Sequence, residues 1–169
     1  HDFWGKVMIR TNDDQKLMFS SSYGLARDIM TPRVGMDTEE EKTYLNKVEY
    51  TISQLGSLSE QLKISAYYNR IEHYPSGKYR ATAVNDKEIE AISYISGAQL
   101  ENQTLSDLAL FTYGTDFYYR NWYGDILNRA TGAILNDNLF PDVDEQDFGL
   151  YVKAERDFDK VSLSAGLRA

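Results

Sequence analysis

The chain has 169 residues, no cysteine and a formal charge of −8, with a pI near 4.8. That length suits one ordinary domain. The missing cysteines exclude a disulfide frame, a thiolate nucleophile and a zinc–cysteine site, and the acidity excludes nucleic acid, since no basic stripe could neutralise phosphates. A mean hydropathy of −0.51 and the lack of an 18-residue apolar run exclude a spanning helix. They leave a spanning β-barrel open, because its strands alternate lipid-facing with lumen-facing residues and look only half hydrophobic.

The first strand runs from Phe3 to Thr11, with Phe3, Gly5, Val7 and Ile9 on one face and Trp4, Lys6, Met8 and Arg10 on the other. The second sets Leu17, Phe19, Ser21 and Tyr23 against Lys16, Met18, Ser20 and Ser22. The third opposes Tyr44, Val48, Tyr50 and Ile52 to Lys47, Glu49 and Thr51; the fourth opposes Leu62, Ile64, Ala66 and Tyr68 to Lys63, Ser65, Tyr67 and Asn69. A weaker fifth carries Ile92, Tyr94, Ala98 and Leu100, and a sixth carries Phe111, Tyr113, Phe117 and Tyr119 against Asp116, Tyr118 and Arg120. The seventh sets Phe148, Leu150, Val152 and Ala154 against Lys153 and Glu155; the last sets Val161, Leu163, Ala165 and Leu167 against Ser162, Ser164 and Arg168. Alternation this persistent predicts about eight half-buried antiparallel strands and no long helix.

The gaps alternate as well. Short joints are predicted at Thr11–Gln15, Gln54–Ser59, Asn102–Asp107 and Asp157–Lys160, and long polar loops at Leu25–Lys42, His73–Glu88 and Tyr123–Gln146. Tight turns on one edge and long loops on the other are the pattern of an outer-membrane up-and-down barrel. Leu62, Ile64, Val152, Leu163 and Leu167 are then expected to face lipid, with Glu49, Lys63, Lys153, Glu155 and Arg168 facing a wet lumen. Aromatics from Phe3 and Trp4 to Trp122 and Tyr123 gather toward the long-loop ends, where an interfacial girdle belongs. The chain begins at His1-Asp2-Phe3 with no signal peptide, as expected of a mature piece or a fragment.

No catalytic constellation stands out. His73 is the only internal histidine, and neither a Gly-x-Ser-x-Gly elbow nor a phosphate-cradling glycine loop occurs. An enzyme is not expected, nor is a cofactor. Asp142, Asp144, Glu145 and Asp147 resemble an oxygen-ligand run, but Lys153 stands where a calcium loop needs its closing Glu, so a solvated acidic loop is expected. His73, Met30 and Met36 are the softest metal ligands present, and imidazole with thioether suits copper. Packing of the two methionines between loops is the alternative. Arg120 and Arg129 could greet an anionic chelate or meet lipid phosphate and loop carboxylates.

Several stretches resemble the barrel of TonB-dependent outer-membrane receptors. They are Asp28 to Asp37, Ala66 to His73, Phe111 to Arg120, Phe140 to Asp144, Phe148 to Tyr151 and Ser164 to Arg168. The stretch around Met36-Asp37 and the strand end Asn69 to His73 resemble the copper- and metal-related branch. The resemblance implies a receptor of the bacterial outer membrane importing a scarce metal or metal complex, a siderophore-like chelate or copper. It also implies partners: lipid and lipopolysaccharide around the wall, and a TonB complex reached through a plug with its TonB box. Neither plug nor closing aromatic residue is found here, so residues 1–169 are expected to form part of one transmembrane barrel domain, about eight strands of a probable 22. The competing readings are a small eight-stranded outer-membrane protein with a structural or adhesive role, and a soluble ligand-binding β-barrel.

Overall fold

The structure, a computed structural model, describes residues 1–31, 35–56, 59–80 and 86–169. Eight strands follow one another: β1 (Asp2–Asn12), β2 (Gln15–Ile29), β3 (Asp37–Ser53), β4 (Gln61–Ser76), β5 (Lys87–Leu105), β6 (Leu110–Asn128), β7 (Ile134–Phe158) and β8 (Val161–Arg168). Each pairs antiparallel with the next, and their order in the sheet is their order in sequence. No helix occurs among the described residues. The eight-stranded meander expected from the alternation is therefore the fold. β1 and β8 are the two edges of the sheet and do not pair with each other.

Register turns eight separate alternations into two coherent faces. Directly opposed residues in a ladder point the same way, so a row can be followed across the strands. One row reads Val7, Phe19, Val48, Ala66, Ala98, Phe117 and Phe148; the next reads Ile9, Leu17, Tyr50, Ile64, Leu100, Thr115 and Leu150. Shifted by one residue, the opposite face carries Lys6, Ser20, Lys47, Tyr67, Gly97, Tyr118 and Asp147. One-residue slips would exchange these faces completely. The apolar face has no covering layer: Phe19 is 49% exposed, Ile64 45% and Phe148 63%. Only Ile92 is a buried hydrophobic among the described residues. A sheet without a protein core, apolar outside and charged inside, is built for lipid on one face and water on the other.

Each of the five residues expected to face lipid lies on the apolar face, and each of the five expected to line the lumen lies on the charged one. Leu163 needs a refinement in depth. It is opposite Arg156, close to the β7–β8 turn, and the Arg156 guanidinium packs over the Phe158 ring. An outward arginine beside an aromatic marks the membrane interface rather than the midplane.

The expected loops are corrected more strongly. Leu25 to Lys42 was expected to be loop, yet Leu25 pairs with Lys42, Arg27 with Glu40 and Ile29 with Thr38. The connection shrinks to residues 30–36, the expected loop His73–Glu88 to 77–86, and Tyr123–Gln146 to 129–133. Pro32, Arg33 and Val34, within the stretch that carried the family resemblance, lie outside the described residues, as do Ser57 and Leu58 of one expected turn. On the other edge β5 continues through the expected joint to Leu105. β7 reaches 25 residues, where crossing a bilayer takes about 9–11. The strands therefore continue well past the membrane on the long-loop side, as a wall standing in extracellular water.

The aromatics are divided by the pleat. Tyr23 stacks at 5.1 Å on Tyr44, and Tyr94 lies 6.0 Å from Tyr119, all on the apolar face. Trp4, Tyr67, Tyr118 and Trp122 are on the charged face. Only the first group can serve as girdle.

Candidate functional site

The lumenal face is held flat by long side chains lying across glycines. Tyr151 of β7 crosses Gly114 of β6, where an added Cβ would meet its hydroxyl at 2.7 Å. That hydroxyl donates to Glu101 Oε2 of β5 at 2.9 Å and accepts from Gln99 Nε2 at 3.1 Å. Lys63 of β4 meets the same Glu101 at 2.9 Å. Arg168 of β8 crosses Gly149 of β7 to grip Asp116 of β6. Lys47–Glu49 and Lys153–Glu155 close further pairs at 2.9 and 2.7 Å. A charged surface so thoroughly paired is stable in a partly desolvated lumen, because each charge keeps a partner when water is limited.

His73 lies on this lumenal face of β4, opposite Glu41 of β3 and Ala91 of β5. Its Nδ1 donates to Glu41 Oε2 at 2.8 Å. A carboxylate only accepts, so Nδ1 carries the proton of this bond, and in the neutral ring the free lone pair is on Nε2. Nε2 has no hydrogen-bond partner among the described residues, and the side chain is 38% exposed. A carboxylate holding the distal nitrogen of a histidine is how metal sites orient their imidazoles. Glu41 was missed by reading the sequence. Only the register, which carries it across from His73, reveals it.

The other expected ligands are more scattered. Met30 follows β2 and is 77% exposed, while Met36 precedes β3 and is half-buried. Asp37, next to Met36, pairs with Ser76, three residues along β4 from His73, and Met36 lies one residue further out, roughly 13 Å from His73 along the strand at 3.3 Å per residue. Arg120 faces the lumen with its guanidinium 4.4 Å from the centre of the Trp122 ring. Arg129 lies past the end of β6, where its amide donates to Asp86 O at 2.7 Å and its charge acts on Glu39 and Glu88. The two arginines are roughly 30 Å apart along the chain direction and do not form one anion site.

The acidic run is not a loop. It belongs to β7, and the pleat sends Asp142 and Asp144 to the outer face, where Asn121 Nδ2 bonds both, and Glu145 and Asp147 to the lumen, where Tyr118 donates to Glu145 at 2.7 Å. The oxygen-ligand pattern dissolves because neighbours in a strand point apart. No group of three or more His, Asp or Glu poised to hold a metal occurs among the described residues.

At the extracellular rim the structure adds a contact that the sequence gave no hint of. Arg80 donates through Nε to Asp37 Oδ2 at 2.9 Å, through Nη2 to Asp37 Oδ1, and through Nη2 to Thr31 O at 3.0 Å. The Thr31 amide donates back to Asp37 Oδ1 at 2.9 Å. Lys78 meets Glu39 at 2.8 Å alongside. The β4–β5 connection is thus clasped to the start of β3 and the end of β2. The Arg80 hydrogen bonds hold the Asp37 carboxyl below its ordinary value, and Lys78 does the same for Glu39. Glu88, more buried and beside Glu39, is raised, with desolvation the main cause.

Comparison with known proteins agrees with this geometry. The family profile described as TonB dependent receptor-like, beta-barrel, matches residues 8–169. Among solved structures, the copper transporter OprC superposes with a TM-score of 0.75 at 15% identity, covering 99% of this chain. The chain spans 28% of that protein's length. No curated protein matches by sequence. At 15% identity the likeness to OprC concerns the fold, whereas the family match covers nearly the whole chain. Receptors of this family reside in the bacterial outer membrane and are not enzymes, and the lipid-facing sheet agrees with that location. The chain belongs to the TonB-dependent receptor family, as part of its outer-membrane β-barrel.

Proposed function

We propose that this chain is part of the wall and outer vestibule of a receptor that imports a scarce metal or metal complex. The observation that carries the reading is the oriented imidazole: His73 faces the lumen, partly exposed, with Nδ1 held by Glu41. A neutral imidazole so held is a ready donor to a borderline or soft metal, copper included. Met36 and Met30 at the same rim are the thioethers that could join it as cargo passes. Arg120, and separately Arg129, would attract an anionic chelate. The copper named for OprC belongs to that protein; here it is the first metal to test.

The unpaired edges of β1 and β8 support a larger barrel. A row of open backbone donors and acceptors in hydrocarbon is prohibitively costly, so further strands would close the wall, toward the 22 of the largest plugged barrels. Residues 1–169 would then be one portion of a single barrel domain. A plug would fill the lumen and carry the TonB box through which the energised inner-membrane complex acts. Lipopolysaccharide and phospholipid would surround the wall. A self-contained eight-stranded protein is the weaker reading, since its closure requires the missing β1–β8 ladder.

The test is uptake by cells that carry or lack the parent gene, under metal limitation, using copper, iron chelates and corrinoids as cargo. Energy-dependent uptake of one of them should vanish on deletion. Unchanged uptake of all would defeat the import reading.

A further inference from the structure

Along the lower halves of β1 and β2, Val7, Ile9, Leu17 and Phe19 face outward, while Lys6, Arg10, Lys16 and Ser20 face the lumen. Met8 and Met18 break that division. They are apolar side chains in the lumenal set, and the register sets them directly opposite each other. Met8 is 50% exposed and Met18 is half-buried. The Cβ atoms of such a pair are about 4.5–5.5 Å apart. Methionine is unbranched and flexible, so both sulfurs can reach one ion between them. Met18 is opposite Glu49 of β3, which is opposite Ser65 of β4. Ser65 and His73 are eight residues apart on β4, which puts the methionine pair roughly 26 Å along the strand from the imidazole at 3.3 Å per residue. Met18 is also four residues past Asp14 of the β1–β2 turn, and short turns mark the periplasmic edge. The pair is deep in the lumen, well below the vestibule.

Two thioethers facing one another are donors to a soft cation; thioether sulfur selects copper(I) and offers little to hard ions. The surrounding charges sharpen that choice. Lys6 and Lys47 lie one row toward the vestibule, and Arg10 and Lys16 one row toward the periplasm. Glu49, beside Met18, is bonded to Lys47 at 2.9 Å. Coulomb repulsion scales with the charge of the ion, so a dication meets about twice the opposition of a monovalent one. A hard dication gains no strong bond to sulfur in return, whereas a soft monovalent ion gains two. The same cations keep the binding weak, which suits passage, since an ion held too firmly would not leave.

We propose that Met8 and Met18 form a lumenal station for a soft monovalent cation, copper(I), on its way from the vestibule to the periplasmic side. This rests on the metal-import reading and deepens it by naming the form of the cargo. Each sulfur donates a lone pair to the ion. The ion arrives as copper(I) and leaves as copper(I), so no electron is transferred and no bond of the protein breaks. His73, oriented by Glu41, is a donor at the vestibule, and the thioether pair is a later one on the same lumenal face.

The test is NMR of the full-length receptor in lipid nanodiscs, with isotope-labelled methionine methyl groups and silver(I) as a soft, air-stable monovalent probe. Met8→Leu and Met18→Leu assign the two signals; such swaps nearly conserve volume, and heat-modifiable gel mobility verifies folding. In the unaltered receptor both signals should shift together, with a single dissociation constant. In either Leu variant the remaining signal should need about tenfold more silver, since one of two soft donors is gone. Zinc(II) should move neither. Signals that ignore silver, that titrate independently, that respond equally to zinc, or that keep full affinity in a Leu variant overturn the proposal. Copper uptake by cells separates this inference from the reading beneath it. Intact uptake with a silent methionine pair defeats the station alone. A pair that shifts as expected, in a receptor whose deletion changes no uptake, upholds the soft-ion site and defeats import.

Discussion

Arg168 reaches from β8 across Gly149 to hold Asp116 on β6, with Nη1 and Nη2 each 2.7 Å from a carboxylate oxygen. The intervening strand contributes the space above a glycine and, at 3.7 Å from Nη2, the Asp147 carboxylate. Tyr151 repeats the arrangement one strand earlier, crossing Gly114 to reach Glu101. The lumenal network thus ties alternate strands together, beyond what the backbone ladders do. It depends on side chains that are missing as much as on those present.

The two glycines should respond differently to alanine. At Gly114 a Cβ would strike the Leu100 carbonyl of the neighbouring strand as well as the Tyr151 ring, and backbone cannot step aside. Gly114→Ala should cost about 1–3 kcal/mol, the usual range for overpacking. At Gly149 the nearest atoms are the flexible end of Arg168 and the Asp116 carboxylate, so Gly149→Ala should cost less. Urea unfolding in lipid vesicles, followed by the fluorescence of Trp4 and Trp122, gives both values. The reverse order would contradict the packing described.

Charge tolerance should follow the faces. Val48 lies in the apolar row between Phe19 and Ala66, within β3 and paired on both sides. Val48→Arg should cost roughly 2–4 kcal/mol if it lies near the bilayer midplane. Arg in place of the adjacent lumenal Lys47 should cost far less, since that side chain already carries a charge beside Glu49. Near-equal unfolding energies for the two variants would mean the faces are misassigned.

The extracellular clasp should be sensitive to acid. Asp37 is held below its ordinary carboxylate value chiefly by its hydrogen bonds from Arg80, then by the Thr31 amide. A depressed carboxyl contributes stability that is present above its unfolded value and lost as pH falls through the folded one. Protection of the Thr31 amide, corrected for intrinsic exchange, should therefore hold between pH 7 and 5 and fall only in strong acid. Asp37→Ala, which removes the acceptor, should abolish that protection at neutral pH. Protection that declines already between pH 7 and 5 would point to another group.

Glu41 should matter for metal binding without touching the metal. Glu41→Ala leaves the His73 ring free to rotate and change tautomer, and loss of such an orienting carboxylate typically lowers metal affinity by 10–100-fold. Copper titration of the full-length receptor should show the loss in both Glu41→Ala and His73→Ala, with Glu41→Gln intermediate because its amide oxygen can still accept from Nδ1. Unchanged affinity in His73→Ala would remove the imidazole from the site.

The sequence by itself determined the strand number, the meander order and the content of each face, because side-chain period two is a local property of the chain. It also revealed which strands carry the membrane signal, from Val7 and Phe19 to Leu150 and Val152. Strand ends were hidden. Above the membrane both faces of a strand are wet, so Arg27, Glu40 and Lys42 show no alternation and read as loop. In the structure, pairing of Leu25 with Lys42 and Arg27 with Glu40, with Lys42 meeting Glu40 at 2.6 Å, continues the sheet through them. The acidic run of β7 was misread for the related reason that closeness in sequence is not closeness in space along a strand. Register decided the rest: Glu41 beside His73, Asp37 beneath Arg80, Thr115 between two leucines. Such partners come from different strands, and only the ladders that fix one strand against the next bring them together.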